Sequence, residues 1–316
     1  MENDIIFGMI GEKINEAKSI AILCHIRPDG DTLGSALALK NALKHKECFV
    51  YCDDAISQKF DFLKGFYDIR GGEIGSHDLI ICVDCSDLGR LGSYSSAVKY
   101  HENTVNIDHH ISNEEFAHIN CVLGLSSTCE IIFNLIKFMG IEPDADVYKC
   151  IFCGLSTDTG NFSHSNTTHT AFAVASELVR LIGDISFITQ RLYKDIPKSK
   201  LLLLGHALSN IKFYIGDKMA ILTILLEDLE RFGCASNDTE GFVDYAINIV
   251  SVEVGAILLE CEKGRFKVSL RSKSADVCKI AAQFGGGGHT HASGCMLFGD
   301  YEEVVDKLVR NAEFYI

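Results

Sequence analysis

The sequence predicts an α/β protein: a doubly wound, mostly parallel sheet in the N-terminal domain, followed by a smaller α+β domain. Up to about residue 183, apolar runs of strand length alternate with segments of helical spacing. Beyond about residue 185 strand-like runs predominate, including a hairpin that turns at Glu262–Gly264. We therefore expect a catalytic domain at residues 1–185, a helical linker at 186–205 and a second domain at 206–316.

In the first domain, the run SIAILCHI predicts a buried strand, and DTLGSALALKNALKHK predicts the helix after it. We expect Asp31 or Thr32 to be the N-cap of this helix. The runs CFVYC, DLIICVD and TVNIDHH predict further strands. Helices are predicted for STCEIIFNLIKFMG, ADVYKCIFCGLSTDTG and TTHTAFAVASELVRLIG, of which Gly140 and Gly183 close the first and the third.

The segment around Pro197 predicts two helices separated by that proline, which connect the domains. Strands are then predicted for MAILTILL, VGAILLECEKGRFKVSLRSK and ASGCMLFG. The helices DVCKIAAQFG and DYEEVVDKLVRNAEFY complete the second domain.

Composition and charge restrict the function. Hydrophobic residues make up 47% of the 316 residues, and no uncharged apolar run is long enough for a membrane span, so we expect no membrane partner. Thirteen cysteines lie mostly in apolar runs and, without an export signal, are expected to be buried free thiols of a cytoplasmic protein. The formal net charge of −14 disfavours long nucleic acids, so a phosphate substrate should be short.

Acidic and histidine residues cluster directly after predicted strands or helices. The clusters are His25, Asp29 and Asp31; Asp84 and Asp87; Asp108, His109 and His110; and Asp158. Ligand sites of open α/β sheets lie in the crevice outside the carboxyl ends of the strands, so the clusters can converge on one site.

Carboxylates and imidazoles without thiolates suit Mn²⁺, Mg²⁺, Fe²⁺ or Zn²⁺ rather than a structural zinc site. Carboxylates packed this closely repel one another unless cations neutralise them. Two divalent ions would do so, and such a pair can clamp the attacking and leaving oxygens of a phosphoryl displacement.

The motifs HIRPDGDTLGSALAL, VDCSD, NIDHH, STCE, GLSTDTGNF and FGGGGHTHASG resemble those of the DHH phosphoesterase family with its DHH-associated C-terminal domain. Length and layout are most similar to the stand-alone nanoRNases. The resemblance implies hydrolysis of very short oligonucleotides and of 3′-phosphoadenosine 5′-phosphate, with two divalent ions, Mn²⁺ first and Mg²⁺ as the alternative. We expect a monomer or a homodimer.

The resemblance also implies roles for individual residues. His25, Asp29 and Asp84 would hold one metal, and Asp31, Asp84, His109 and Asp158 the other, with Asp84 bridging. A water between the metals would attack phosphorus. His110 would contact the scissile phosphate or assist the leaving oxygen, Asp108 would orient an imidazole, and Arg90 would support the site.

The second domain would bind the substrate. Gly286, Gly287 and Gly288 are expected in a tight loop that lets a nucleotide approach the backbone, and His289 would contact a base or a phosphate. Arg271 suits bidentate phosphate binding, although an exposed charge at a strand end is the alternative.

Three other functions stay open. A cyclic-dinucleotide phosphodiesterase, or an inorganic pyrophosphatase or exopolyphosphatase, would use the same N-terminal motifs. The non-enzymatic alternative is a catalytically inactive protein that binds nucleotides as a sensor. An exonuclease of the RecJ type is disfavoured by the negative charge and by the chain length.

Overall fold

The computed structural model describes residues 2–316, with side chains from residue 3 onward. The chain forms two compact units, Met1–Asp195 and Ile196–Ile316. Among the described residues, no helix combines the length and apolar character needed to cross a bilayer.

The first unit is a five-stranded, all-parallel sheet with helices on its faces, as predicted. Its elements are α1 (Glu2–Glu16), β1 (Ser19–Leu23), α2 (Gly30–Ala42), β2 (Glu47–Tyr51), β3 (Leu79–Val83), α3 (Ser95–Tyr100), β4 (Thr104–Asp108), β5 (Ile119–Val122), α4 (Thr128–Phe138), α5 (Ala145–Asp158), α6 (His169–Ile182) and α7 (Ser186–Tyr193).

The strand order is β2-β1-β3-β4-β5, so the chain leaves β1 toward one edge and returns at β3 on the other side. Alternate residues of the central strands enter different cores. Ile20 and Ile22 of β1 pack with the side of α1, α2, α4 and α5, whereas Ala21 and Leu23 pack with the side of α3. Both faces are covered, which is why these strands appear as continuous apolar runs.

Several local features of the first unit differ from the sequence prediction, which also did not include α1 and α3. The N-cap of α2 is Asp29, not Asp31 or Thr32, because the Asp29 side chain accepts the amide protons of both later residues. Strand β5 was missed: it has four residues, lies at the sheet edge and has only two buried side chains, so its apolar signal is weak.

The second unit has a six-stranded mixed sheet of order β10-β11-β9-β8-β7-β6. Its elements are α8 (Lys198–Ser209), β6 (Lys212–Tyr214), β7 (Met219–Ile224), α9 (Leu226–Phe232), α10 (Phe242–Ile247), β8 (Val254–Glu262), β9 (Arg265–Ser272), α11 (Val277–Ala282), β10 (Gly287–His289), β11 (Ala292–Phe298) and α12 (Tyr301–Ala312). Helices α11 and α12 cover one face, and α8, α9 and α10 cover the other.

The cysteines are free thiols, as predicted. Two pairs, Cys82/Cys85 and Cys150/Cys153, have the C-x-x-C spacing of many zinc and redox sites. All four side chains are buried. Burial raises the pKa of Cys85 and of Cys150 to about 12, which disfavours the thiolate that metal binding and disulfide exchange require. These pairs therefore serve packing.

Candidate metal centre

The predicted ligands meet at the carboxyl edge of the parallel sheet. His25 follows β1, Asp84 follows β3 and His109 follows β4. Strands β1 and β3 are neighbours at the point where the strand order reverses, which is where open α/β sheets form their ligand crevice. Helix α2 contributes Asp31 from its first turn, and Asp158 is the last residue of α5.

Asp84 stands between two groups of ligands. Its Oδ2 lies 3.3 Å from His25 Nε2, and its Oδ1 lies 3.6 Å from His109 Nε2. The residue is buried and has a φ of 58°. This backbone conformation is unfavourable for residues other than glycine, and residues that adopt it are often found at functional sites. The two oxygens of one carboxylate therefore face opposite halves of the site.

The first group consists of His25, Asp29 and Asp84, whose ligand atoms lie within 4.8 Å of one another. His25 Nδ1 lies 2.7 Å from the carbonyl oxygen of Ile26, which can only accept, so Nδ1 is the nitrogen placed to donate there and Nε2 is the nitrogen that faces the carboxylates. Asp29 uses Oδ1 to cap α2 and turns Oδ2 toward His25 Nε2 at 3.8 Å.

The second group consists of Asp31, His109 and Asp158, again within 4.8 Å. His109 Nδ1 donates to the carbonyl of Leu125 at 3.3 Å, which leaves its Nε2 unprotonated. That Nε2 lies 3.5 Å from Asp158 Oδ2 and is buried without a hydrogen-bond partner among the described residues.

Two glycines let α2 and α5 approach closely enough to bring Asp31 and Asp158 together. A Cβ atom at Gly34 would lie 2.5 Å from the carbonyl oxygen of Cys150. A Cβ atom at Gly154 would lie 2.7 Å from Asp31 Oδ1. Larger side chains at either position would separate the helices and, with them, the second group of ligands.

The electrostatics disfavour this many negative charges in the absence of cations. Burial raises the pKa of Asp31 well above its usual range, and the nearby Asp84 and Asp158 raise it further. Burial raises the pKa of Asp158 to about 6. Burial also raises the pKa of Asp84, but the adjacent imidazoles of His25, His109 and His110 lower it by more, so the net shift is downward.

The residues fit divalent ions. Two atoms that ligate one ion at about 2.1 Å stand about 3.0–3.6 Å apart at ligand–ion–ligand angles of about 90–120°. The contacts of His25 with Asp84 (3.3 Å) and of His109 with Asp158 (3.5 Å) fall in this range. The unpartnered Nε2 of His109 and its protonated Nδ1 are the arrangement of a metal-bound imidazole.

The structure places Asp108 behind His110. Asp108 Oδ1 accepts from His110 Nδ1 at 2.8 Å and from the backbone amide of His109, and its Oδ2 accepts from Asn113 Nδ2 at 2.6 Å. The Asp108 side chain is fully buried, whereas that of His110 is 34% exposed. The hydrogen bond with Asp108 raises the pKa of His110. Asp108 therefore positions the imidazole, and His110 is the member of the pair that solvent can reach.

Arg90 and Asp87 lie beside the predicted metal ligands but not among them. Arg90 Nη2 is 3.1 Å from His25 Nδ1, so its guanidinium adds a positive charge next to the first group. Asp87 accepts from the backbone amide of Arg90 and caps the 3₁₀ segment Leu88–Tyr94. It stabilises the backbone that carries Arg90.

In the second unit, Arg271 and His289 lie on the same face of the sheet. His289 pairs with Ala292 across β10 and β11, and Ala292 pairs with Arg271 across β11 and β9. Directly paired residues of antiparallel strands point to the same side, so the two basic side chains are two strand spacings, about 10 Å, apart with a small residue between them. Arg271 lies 4.0 Å from Asp244, a weak ion pair.

The glycine segment is not simply the tight loop that we predicted. Gly287–His289 form the edge strand β10, and the chain turns at residues 290–291. A Cβ atom at Gly286 or Gly288 would lie 2.2 Å or 2.6 Å from a carbonyl oxygen of β11, so both glycines permit strand packing. Only Gly287 of the three faces open space, and it alone has room for a ligand against its backbone.

The sequence prediction missed Thr128, which belongs to the STCE motif but received no role. Its Oγ1 donates to Asp84 Oδ1 at 3.0 Å. The backbone amides of Thr128 and Cys129 donate to the two oxygens of Asp31. The sequence did offer a signal for this role. Thr128 and Cys129 come directly after a serine that could cap a helix, and the free backbone amides at the start of a helix bind carboxylates.

Two family models match the chain. The model of the DHH family, N-terminal domain, matches residues 19–155, and that of the DHHA1 domain matches residues 216–316. Asp158 lies just beyond the first match, so its place among the ligands depends on the geometry above.

Curated relatives match almost the whole chain. The bifunctional oligoribonuclease and PAP phosphatase NrnA of Thermus thermophilus is 30% identical over 295 residues, which are 92% of this chain and 88% of that protein. The protein of the same name from Bacillus subtilis is 25% identical over 87% of this chain and 88% of its own length.

Solved structures agree with the fold. An exopolyphosphatase-related protein from Bacteroides fragilis superposes with a TM-score of 0.90 at 30% identity, covering 98% of this chain and 96% of that one. Exonuclease RecJ bound to manganese has a TM-score of 0.52 at 13% identity, covers 100% of this chain and 95% of its own, and shares the fold alone.

Proposed function

The chain belongs to the DHH family, with a DHHA1 domain in its second unit, and from this premise we propose that it is a divalent-metal-dependent phosphoesterase acting on short oligonucleotides and on 3′-phosphoadenosine 5′-phosphate (PAP). The observation that carries the proposal is the orientation of Asp84. One of its oxygens faces His25 and the other faces His109, as a carboxylate shared by two ions requires.

We assign His25, Asp29 and Asp84 to one ion, and Asp31, Asp84, His109 and Asp158 to the other. Mn²⁺ is the proposed metal and Mg²⁺ the alternative, since both accept carboxylate and imidazole ligands. Two bound divalent ions would neutralise phosphate charge and lower the pKa of a nearby water.

His110 is the proposed catalytic residue. Asp108 holds its Nδ1, so Nε2 is the atom available to donate to a phosphate oxygen or to the leaving oxygen. Asp108 acts only through His110, because its side chain is fully buried and its Oδ1 accepts from His110 Nδ1. Arg90 would contribute positive charge beside the first ion.

The nature of the substrate is inferred from charge and from the second unit. A net charge of −14 opposes long polyanions, which bind through many basic contacts. Arg271 and His289 share one face, with Ala292 between them and with the open backbone of Gly287 nearby. Such a surface suits the base and a phosphate of a small nucleotide, and bare pyrophosphate has no base.

A substrate panel tests the proposal. The full chain with Mn²⁺ is offered pApA, a five-nucleotide RNA, PAP, cyclic di-AMP, pyrophosphate and a short polyphosphate. We expect turnover of pApA, the short RNA and PAP, loss of turnover in EDTA, and recovery when Mn²⁺ is restored. Turnover confined to pyrophosphate or polyphosphate would contradict the proposal and favour the phosphatase alternative. Nucleotide binding without any turnover would favour an inactive sensor.

A further inference from the structure

The turn formed by Leu125–Glu130, at the N-terminal end of α4, contacts most of the ligands proposed for the second ion. The Leu125 carbonyl accepts from His109 Nδ1, and Thr128 Oγ1 donates to Asp84 Oδ1. The amides of Thr128 and Cys129 donate to Asp31 at 2.6 Å and 2.9 Å. One short segment thus reaches three ligands that are far apart in the chain.

Asn166 extends these contacts to Asp158. Its Nδ2 donates to the Ser126 carbonyl at 3.1 Å and lies 3.3 Å from Asp158 Oδ2, while its own carbonyl accepts from Ser126 Oγ at 2.7 Å. Asn166 is exposed, so its substitution should leave the core intact. All four proposed ligands of the second ion are therefore held through this turn, directly or by one side chain.

The turn is also held by hydrogen bonds of its own. Ser127 caps α4 by accepting the Glu130 amide at 3.1 Å, and Glu130 Oε2 accepts the Ser126 amide at 3.0 Å. The residues from Ser126 to Glu130 are fully buried. This reciprocal bonding leaves the turn little freedom to move relative to α4.

The first ion's ligands are held differently. His25 is fixed by the Ile26 carbonyl and Asp29 by the amides of α2. Among residues 3–316, no hydrogen bond joins the Leu125–Glu130 turn to His25 or Asp29. Only Asp84 is common to both halves of the site.

We propose, on the basis of the function proposed above, that the Leu125–Glu130 turn controls the second ion more than the first and that Thr128 is the positioning residue that sets the rotation of the Asp84 carboxylate. The Thr128 hydroxyl holds Oδ1 toward His109, which leaves Oδ2 toward His25. Without that donor the carboxylate can rotate, and the second ion loses its shared ligand.

The test is a Mn²⁺ titration of the metal-free full chain, with free Mn²⁺ followed by electron paramagnetic resonance. The wild type should bind two ions. Thr128→Val, which keeps the side-chain shape, should bind one ion within threefold of the normal affinity and the other about 10- to 100-fold more weakly. Thr128→Ser, which keeps the hydroxyl, should restore the second ion. The Mn²⁺ concentration that gives half-maximal activity should likewise be higher in Thr128→Val than in the wild type and should return toward the wild-type value in Thr128→Ser.

Asn166→Ala is the second variant, in case Thr128→Val does not fold as judged by circular dichroism in EDTA. This substitution should also lower the affinity for the second ion selectively. Equal weakening of both ions, or two normal ions in Thr128→Val and Asn166→Ala, would overturn the inference while leaving the proposed function in place. A wild type that binds fewer than two ions would instead contradict the two-ion assignment itself.

Discussion

Asp158→Asn should stabilise the metal-free protein at alkaline pH. Burial raises the pKa of this carboxyl from 3.8 to about 6, so ionising it in the folded state is unfavourable. At about 1.36 kcal/mol per pKa unit the shift corresponds to about 3 kcal/mol. Solvent screening at a side chain that is 26% exposed reduces the penalty to about 1–2 kcal/mol. The asparagine keeps the shape and removes this penalty.

The pH dependence has a definite sign. Because the folded-state pKa lies above the unfolded-state value, the folded chain binds the proton more tightly. The penalty is therefore present above about pH 6 and disappears as the pH falls toward 4. In EDTA at pH 8 we expect Asp158→Asn to unfold about 2–8 °C higher than the wild type, and at pH 4 we expect no advantage.

Saturating Mn²⁺ should reverse the order. A ligand at 100 times its Kd stabilises by about 2.7 kcal/mol, and the variant lacks one carboxylate that we propose for the second ion. The chain has no tryptophan, so far-UV circular dichroism is the suitable probe of unfolding. Asp300→Asn, at an exposed aspartate at the start of α12, is the control and should change neither measurement. A variant less stable than the wild type at pH 8 in EDTA would refute the reasoning.

Three further substitutions test the site. Asp84→Ala should lower kcat at least about a thousandfold, because both proposed ions lose a ligand worth several kcal/mol, and near-normal turnover would show that the cage is misassigned. Gly154→Ala should lower the free energy of unfolding in urea by about 1–3 kcal/mol and weaken Mn²⁺ binding. The reason is that its Cβ would lie 2.2 Å from Cys129 Sγ and 2.7 Å from Asp31 Oδ1. An unchanged urea midpoint would contradict the close helix packing. Arg271→Ala should raise KM about tenfold for pApA and PAP with kcat unchanged, by loss of a charged hydrogen bond, and an unchanged KM would refute its role.

Matched controls accompany these variants. Arg265→Ala changes another arginine of β9, one that pairs with Glu262, and should leave KM unaltered. Gly8→Ala places a methyl group in a helical position with no atom within 4 Å, so it should not lower stability as Gly154→Ala does. Together these controls distinguish the loss of a specific contact from the general effect of removing an arginine or a glycine.

Local sequence was sufficient for much of the fold. The runs that form β1, β3 and β4 are apolar over the length of a buried strand, and the glycines at 140 and 183 follow the helices that they end. The ligand clusters follow from the same property, since each comes directly after a strand or a helix. These features depend on neighbours in the chain, so periodicity and composition detect them.

Tertiary structure decided which atoms face one another. The sequence could not assign the oxygens of Asp84 to two histidines, nor show that Thr128 holds one of them, because these contacts join residues about 25–60 positions apart. It also could not distinguish glycines needed for packing, such as Gly154 and Gly288, from Gly287, which has open space.

The sequence alone was sufficient for the set of proposed ligands and for the sheet edge at which they gather. The structure added their pairing, the hydrogen-bonded nitrogens of the histidines and the turn that orients them. The physical reason is that residue type and local spacing specify the chemistry available, whereas distances of 3–4 Å between side chains depend on how helices and strands pack, here through close contact of α2 with α5 and of α4 with Asp31.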